Sequence, residues 1–479
     1  MTAATPAARF DLEEVLRATG GELVTPGGRT CFPGLTTDSR TLCAGELFIA
    51  IRGDTHDGHD FLPDAVARGA GALIVERPAL DRLPALPPGC GTIVVRDSLA
   101  ALGDLAAFHR RRHRPPVVAI TGSNGKTTTK EMLAAILGRV YGPDRVLRTA
   151  GTQNNLVGLP LTLLRLGDEA RVAILELGMN APGEIWRLAE IAGPDVGVVT
   201  CVAPAHLERL GSVRGVAEAK AELYRRLRPS AIAVVNADDP LVRATAEAFP
   251  GRKIRFGIAE GAADGPTVRA TKVVDHGLAG VAFRLVVEGR EFMVRLGVPG
   301  RHNVTNALAA VAAAHALGAD LEAVPAGLEA FQPARMRMEV VHLPTGITVL
   351  NDAYNANPAS MAAALRTLAA SRGRRRLAAL GEMRELGADA AAGHREVGAE
   401  AARAGLDALF LLGPHADEVC AGATAAGMPR ETIVVAATHD ELATRLAAYC
   451  RGGDLVLVKG SRGAAMEQVL RRLGTECKP

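Results

Sequence analysis

The stretch Thr121-Gly122-Ser123-Asn124-Gly125-Lys126-Thr127-Thr128 constrains this chain more than any other. It directly follows the apolar run VVAI (117–120) and directly precedes a helical pattern over 129–137. A strand, a glycine turn and a helix in that order aim backbone N–H groups at an anion, and the helix N-terminus adds positive partial charge. Lys126 has the reach for β/γ-phosphates, and the Thr127 hydroxyl suits Mg²⁺. Taken as structure alone, the loop is a glycine turn that opens a helix; its flanks favour a phosphate site running from Gly122 to Thr128. The general phosphate-loop pattern wants a glycine where Ile120 stands, so this is the short G-x-x-G-K-T-T form. No N-K-x-D guanine-reading sequence occurs in the chain, which makes ATP the expected nucleotide.

The loop belongs to a longer alternation of apolar runs with helical patterns. VAILEL (172–177), VGVVT (196–200) and AIAVVN (231–236) read as buried strands of a parallel α/β sheet. ITVLND (347–352), LAALGEM (377–383), ALFLLG (408–413) and DLVLVKG (454–460) repeat the scheme, while GELFIAI (45–51) and GALIVE (71–76) serve the first segment. Residues 253–300 read as short strands in a small antiparallel insertion. Two breaks divide the chain: the basic run His109–Arg114 closed by Pro115-Pro116, and Phe331–Arg337 after an alanine-rich helix (Asn303 to Leu317) and a shorter one ending near Ala330. An α/β protein of three domains is expected, 1–114, 115–333 and 334–479: a small α/β domain, a central parallel-sheet phosphate-loop domain and a Rossmann-like C-terminal domain.

With 479 residues, 48% hydrophobic and 22% charged, the chain can bury several cores. A net charge of +3 is small for that size and points to neither nucleic acid nor a membrane surface. The seven cysteines form no C-x-x-C pair, so reduced thiols are expected rather than a disulfide framework or thiolate metal site. The opening MTAATPAARFDLEEVL lacks a basic-then-apolar leader, and no apolar run reaches membrane-span length. A cytoplasmic protein with no membrane insertion is expected.

TGSNGKTT resembles the ATP loop of the superfamily of Mur ligases and folylpolyglutamate synthases, and further segments extend the resemblance to Mur ligases over most of the chain. It is weakest over 1–30, 80–114 and 253–295. Glu176 ends the strand VAILEL, where carboxylates of open α/β sheets face a ligand crevice; its context resembles the family's Mg²⁺-binding glutamate. His206 in A-H-L-E follows VGVVT and by resemblance binds a second Mg²⁺. Lys220, alone a surface lysine, lies in a stretch resembling that whose lysine is carbamylated by CO₂, giving an anion that could ligate the same ion. G-x-H-N-x-x-N (300–306) reads as a helix start capped by Asn303 and resembles the family's adenine contact, so Asn303 is expected to do both. Arg335 and Asp352 match residues that reach the nucleotide in relatives, and Lys459 and Arg462 are placed at the same cleft.

The resemblance also implies the substrates. Asp38-Ser39-Arg40 resembles a UDP-sugar-binding segment; a hydroxyl and a fork-shaped cation suit a pyrophosphate, although a polar turn is the plainer reading. That makes the first domain the one for the UDP-linked substrate. Thr152, Asn154 and Asn155, in G-T-Q-N-N-L-V-G (151–158), resemble the loop that holds the nascent peptide. The run N-D-A-Y-N-A-N-P-A-S-M (351–361), with Asn355 and Asn357, resembles the branch that adds D-alanyl-D-alanine to UDP-N-acetylmuramoyl-tripeptide, as do LGEMRELG (380–387) with His394 and VLVKGSRGAAMEQ (456–468). The D-N-P-R of the diaminopimelate-adding branch is absent. A monomeric amide ligase using ATP and Mg²⁺ in cell-wall precursor synthesis is the expectation; the alternatives are the diaminopimelate- or lysine-adding branch and, further off, folylpolyglutamate synthase. The third residue of the tripeptide stays open between diaminopimelate and lysine.

Overall fold

The computed structural model describes residues 8–53, 55–258 and 265–476; Met1–Ala7, in the opening stretch, and Cys477 lie outside them. The chain forms two compact units. One comprises 1–119, 144–179 and 184–195, and the other 120–143, 180–183 and 196–479.

The first unit holds a five-stranded sheet of β1 (Glu22–Thr25), β2 (Leu35–Thr36), β3 (Leu47–Ile49), β4 (Ala72–Glu76) and β5 (Gly91–Val95), in the order β1-β5-β4-β3-β2. All pairings are parallel except β1 with β5. β3 is buried along its whole length and β4 over all but its last residue, which is why GELFIAI and GALIVE read as apolar runs. Helix α1 (Ser98–Arg112) is capped by Asp97, which accepts the Ala100 N–H. The basic run sits in its last turn, where cations complement the helix dipole, and the Arg112 guanidinium lies over the Phe10 and Phe108 rings. Further along, β6 (Val117–Thr121) begins in this unit. α2 (Lys126–Tyr141) follows it in the second, and β7 (Val146–Arg148) and β8 (Val172–Glu176) pair in parallel in the first.

The second unit continues with β9 (Val196–Val199), α3 (Val213–Arg226) and β10 (Ile232–Asn236), the two strands parallel as expected, and with β11 (Arg252–Gly257), which pairs parallel to β10 although it falls in the segment read as an antiparallel insertion. β12 (Val268–Asp275), β13 (Val281–Val287) and β14 (Arg290–Leu296) then form the antiparallel meander foreseen for 253–300, but as an extension of the same sheet beyond β11. α4 (His302–Ala316) is alanine-rich because it is buried against α2 on one side and the strands β10–β12 on the other. Small side chains let the backbones approach closely there.

A second sheet of this unit contains β15 (Glu339–His342), β16 (Thr348–Asp352), β17 (Arg376–Leu380), β18 (Ala408–Leu412), β19 (Ile433–Ala436) and β20 (Leu455–Lys459), with helices α5 (Pro358–Ala370) and α6 (Ala390–Arg403) between strands. Its order is β15-β16-β20-β17-β18-β19, and only the β15 pairing is antiparallel. The last strand thus inserts between β16 and β17. Asp352, Lys459 and Leu380 come into register at one end, and strand-order reversals of this kind open ligand crevices. β17 is shorter than LAALGEM suggests. It stops at Leu380; Gly381 then donates to the Lys459 carbonyl and packs against Met466, where an added Cβ would come within 2.7 Å. Among the described residues no helix is long and apolar enough to cross a membrane.

Candidate active site

In the second unit the phosphate loop is held before any ligand is considered. Gly122 and Gly125 have left-handed backbone, and a Cβ on them would meet the Thr200 hydroxyl at 1.9 Å and Asn306 Oδ1 at 2.1 Å. No other residue fits either position. The Thr200 hydroxyl donates to the Asn124 carbonyl at 2.5 Å. Ser123 donates its N–H to the Cys201 carbonyl at 2.9 Å and its hydroxyl to the Ala203 carbonyl at 3.0 Å. Lys126 curls back, its ammonium 2.8 Å from the Gly122 carbonyl. Gly125 caps α2 without a side-chain oxygen, which leaves an anion as a suitable partner for the helix N-terminus.

Lys220 is not the surface residue its sequence suggests: α3 turns it inward until only 2% is exposed. Burial, and next the positive charge of Lys126, bring its pKa down to about 7, while the Cys201 thiol acts weakly the other way. Such an amine is substantially neutral at physiological pH and can act as a nucleophile. His206, after β9, has a left-handed backbone (φ 55°), as does Glu385 (φ 66°). The two meet, His206 Nδ1 to Glu385 Oε2 at 2.5 Å. That hydrogen bond holds the Glu385 carboxyl below its usual range.

Asn303 does not cap α4. Arg301 occupies that position with no side-chain bond, and Asn303, already helical, donates Nδ2 back to the Pro299 carbonyl at 2.8 Å and accepts from Asn306 at 3.0 Å. Asp352 accepts the Met338 N–H at 3.1 Å and the Lys459 ammonium at 2.5 Å. The buried Lys459 also donates to the Asn355 carbonyl at 2.9 Å. Burial lowers the pKa of nearby His302. Arg335 is exposed, and its neighbour Arg337 stacks over Tyr354 at 4.2 Å. Arg462 pairs with Glu467 at 2.8 Å. Asn357 caps α5, and it reaches Asn124 of the phosphate loop with Nδ2···Oδ1 at 2.9 Å and Oδ1···Nδ2 at 3.3 Å.

In the first unit Asn154 donates to the buried Glu176 carboxylate at 2.8 Å, and the Thr149 hydroxyl accepts the Glu176 N–H at 3.0 Å. Two residues taken from separate motifs therefore touch. The Thr152 carbonyl accepts the Asn154 N–H, and Asn155 Oδ1 accepts from Val157 and Gly158, fixing the turn. Asp38 and Arg40 form a two-bond pair with each other at 2.8–2.9 Å, flanking the buried Ser39; the Arg40 hydrogen bonds hold Asp38 down to about 2.

Sequence reasoning passed over Thr200, Cys201, Asn306 and Glu385. Asn306 carried a signal as the last position of G-x-H-N-x-x-N, and Glu385 as a member of LGEMRELG.

Three family models match in succession: "Mur ligase family, catalytic domain" over 32–110, "Mur ligase middle domain" over 120–314 and "Mur ligase, glutamate ligase domain" over 336–462. The chain belongs to the Mur ligase family. This Mur ligase is 39% identical to the UDP-N-acetylmuramoyl-tripeptide–D-alanyl-D-alanine ligase of Escherichia coli K12 over 96% of its own length and 98% of that protein. It is 33% identical to the Bacillus subtilis enzyme of the same name, over 93% and 94%. Among solved structures it resembles MurF from Acinetobacter baumannii, with TM-score 0.88, 33% identity and coverage of 98% and 100%. It also resembles MurF from Thermotoga maritima in complex with ADP, with TM-score 0.80, 28% identity and coverage of 92% and 97%.

Proposed function

We propose that this Mur ligase joins D-alanyl-D-alanine to UDP-N-acetylmuramoyl-tripeptide at the expense of ATP, within the cytoplasm and as a monomer. The observation that carries the reading is the junction of the phosphate loop with the N-D-A-Y-N-A-N-P run: Asn124 bonds Asn357, and Asp352, Asn355 and Lys459 form the adjoining cluster. Full-length relatives that bear this activity in their names support it. The three domains of 1–114, 115–333 and 334–479 would take the UDP-linked substrate, the nucleotide and the acceptor dipeptide.

The tripeptide's terminal carboxylate oxygen attacks the γ-phosphorus, the bond to the β-phosphate oxygen breaks, and an acyl phosphate and ADP result. The dipeptide amine then attacks the acyl carbon, inorganic phosphate departs and the nitrogen loses a proton. Lys126 and the loop N–H groups stabilise charge on the transferring phosphoryl group. Asn303, Arg335 and Asp352 would contact the nucleotide. Asp38, Ser39 and Arg40 would take the UDP end, and Thr152, Asn154 and Asn155 the peptide.

Among the described residues no three His, Cys, Asp or Glu side chains converge on one point. The buried Glu176 carboxylate and Thr127 hydroxyl are hard oxygen donors of the kind Mg²⁺ takes alongside waters and phosphate oxygens. Thr127 and Glu176 would hold one Mg²⁺ and His206 with Lys220 (as its carbamate) a second, and the bound ions would supply charge neutralisation. ADP release that requires both the UDP-muramoyl-tripeptide and D-alanyl-D-alanine tests the whole reading. Release with UDP-muramoyl-dipeptide and a diamino acid instead would assign the neighbouring branch.

A further inference from the structure

The loop leaving β17 crosses to the segment after β9 and delivers a carboxylate to one ring nitrogen of His206. Glu385 Oε2 lies 2.5 Å from Nδ1, and the Glu208 N–H donates to the Glu385 carbonyl at 3.3 Å. Both His206 and Glu385 hold left-handed backbone, which side-chain-bearing residues adopt at a cost and which clusters at working sites. The Glu385 side chain is half exposed, but the loop that carries it is tied down. The Met383 N–H donates to His394 Nε2 at 2.9 Å, and His394 Nδ1 donates to the Ala390 carbonyl at 2.7 Å. The Ser461 N–H holds the Glu382 carbonyl at 2.9 Å. The carbonyl at Ala390 requires the hydrogen on His394 Nδ1, so its Nε2 is an acceptor that fixes the loop just before Glu385.

We propose that Glu385 is a positioning residue for His206. Its carboxylate takes the Nδ1 hydrogen, locks the ring's tautomer and rotation, and leaves the Nε2 lone pair for a divalent cation on the nucleotide. Histidines that ligate metals characteristically donate their other N–H to a carboxylate in this way. The inference rests on the Mg²⁺ reading above and adds to it a residue from the far sheet, so that cation binding depends on the β17 loop being docked. It also gives a role to LGEMRELG and His394 as the support of that loop.

The test is ADP affinity by calorimetry with and without Mg²⁺ for the wild type, Glu385→Gln and Glu385→Ala. Mg²⁺ should tighten ADP binding to the wild type. Glu385→Ala should lose that gain by about 10- to 100-fold while its Mg²⁺-free affinity matches the wild type. Glu385→Gln, whose amide oxygen still accepts from Nδ1, should keep most of the gain. Three results would overturn the proposal: a full gain in Glu385→Ala, an equal loss with and without Mg²⁺, or a Gln variant as poor as the Ala one. A wild type that binds ADP with no Mg²⁺-dependent gain overturns the metal reading itself. One that binds no ADP overturns the nucleotide reading.

Discussion

Asn124 of the phosphate loop and Asn357 at the start of α5 exchange side-chain amide hydrogen bonds, 2.9 Å one way and 3.3 Å the other. The same Asn357 Oδ1 accepts the Ser360 N–H at 2.9 Å and the Asn357 N–H donates to Ser360 Oγ at 3.0 Å, a closed capping box. Asn357 is therefore engaged on both sides, with its amide tied to the loop and to the start of α5.

Serine also caps helices well but is too short to reach Asn124, so Asn357→Ser separates the two roles. It should fold normally and weaken ADP binding by about 1–2 kcal/mol, with a coupling to Asn124→Ala of similar size in a double-mutant cycle. Calorimetry reads both. Strictly additive losses would show that the two residues act independently.

Lys126→Ala removes the cation proposed to face the phosphates, together with its hydrogen bond to the Gly122 carbonyl. The bond is worth about 1 kcal/mol of stability, so the melting temperature should move little. The kcat should fall on the order of 10³-fold, about 4 kcal/mol of transition-state stabilisation. A variant keeping a tenth of the wild-type rate would remove Lys126 from phosphoryl transfer.

These predictions divide along what the sequence could show. The phosphate loop was legible because strand, turn and helix are contiguous, and the parallel sheets because strands buried on both faces are unbroken apolar runs. Asn357 and Asn124, by contrast, are 233 positions apart, and nothing local marks the partner. Lys220 looked exposed because an isolated lysine usually is; its burial follows from how α3 packs. Asn303 looked like a cap because its neighbours fit the pattern, yet the helix starts one residue earlier. Glu385 stayed hidden because its role depends on a left-handed backbone and on a contact between segments distant in sequence.

Lys220 gives a pH prediction whose sign follows from its lowered pKa of about 7. Between that value and the ordinary lysine range the unfolded chain binds a proton that the folded one does not. Stability from this group therefore rises with pH across that window and is lost as pH falls toward 7. In bicarbonate-free buffer, Lys220→Met should melt higher than wild type at pH 7, with the gap closing toward pH 10. The variant should be nearly inactive, and Lys220→Ala should recover partly with a small added carboxylate. A melting difference independent of pH would place the lysine's charge in solvent.

The proposed acceptor site yields the prediction that separates this ligase from its nearest relatives. A dipeptide brings an internal amide, and each of its polar groups left unpaired on burial costs about 1–3 kcal/mol. With Asn357 committed to the phosphate loop, Asn355 is the amide of the N-A-N segment that remains exposed, and its own carbonyl is pinned by Lys459 at 2.9 Å. Beside it Ala356 is small and buried. Asn355→Ala should raise the KM for D-alanyl-D-alanine by about tenfold, the equivalent of one lost hydrogen bond of about 1.4 kcal/mol. The KM for ATP and the melting temperature should barely change, because no helix cap and no loop contact is removed. A rise in the KM for ATP instead would move Asn355 to the nucleotide side of the site. No change in either constant would place the dipeptide elsewhere on the sheet end formed by β16, β17 and β20.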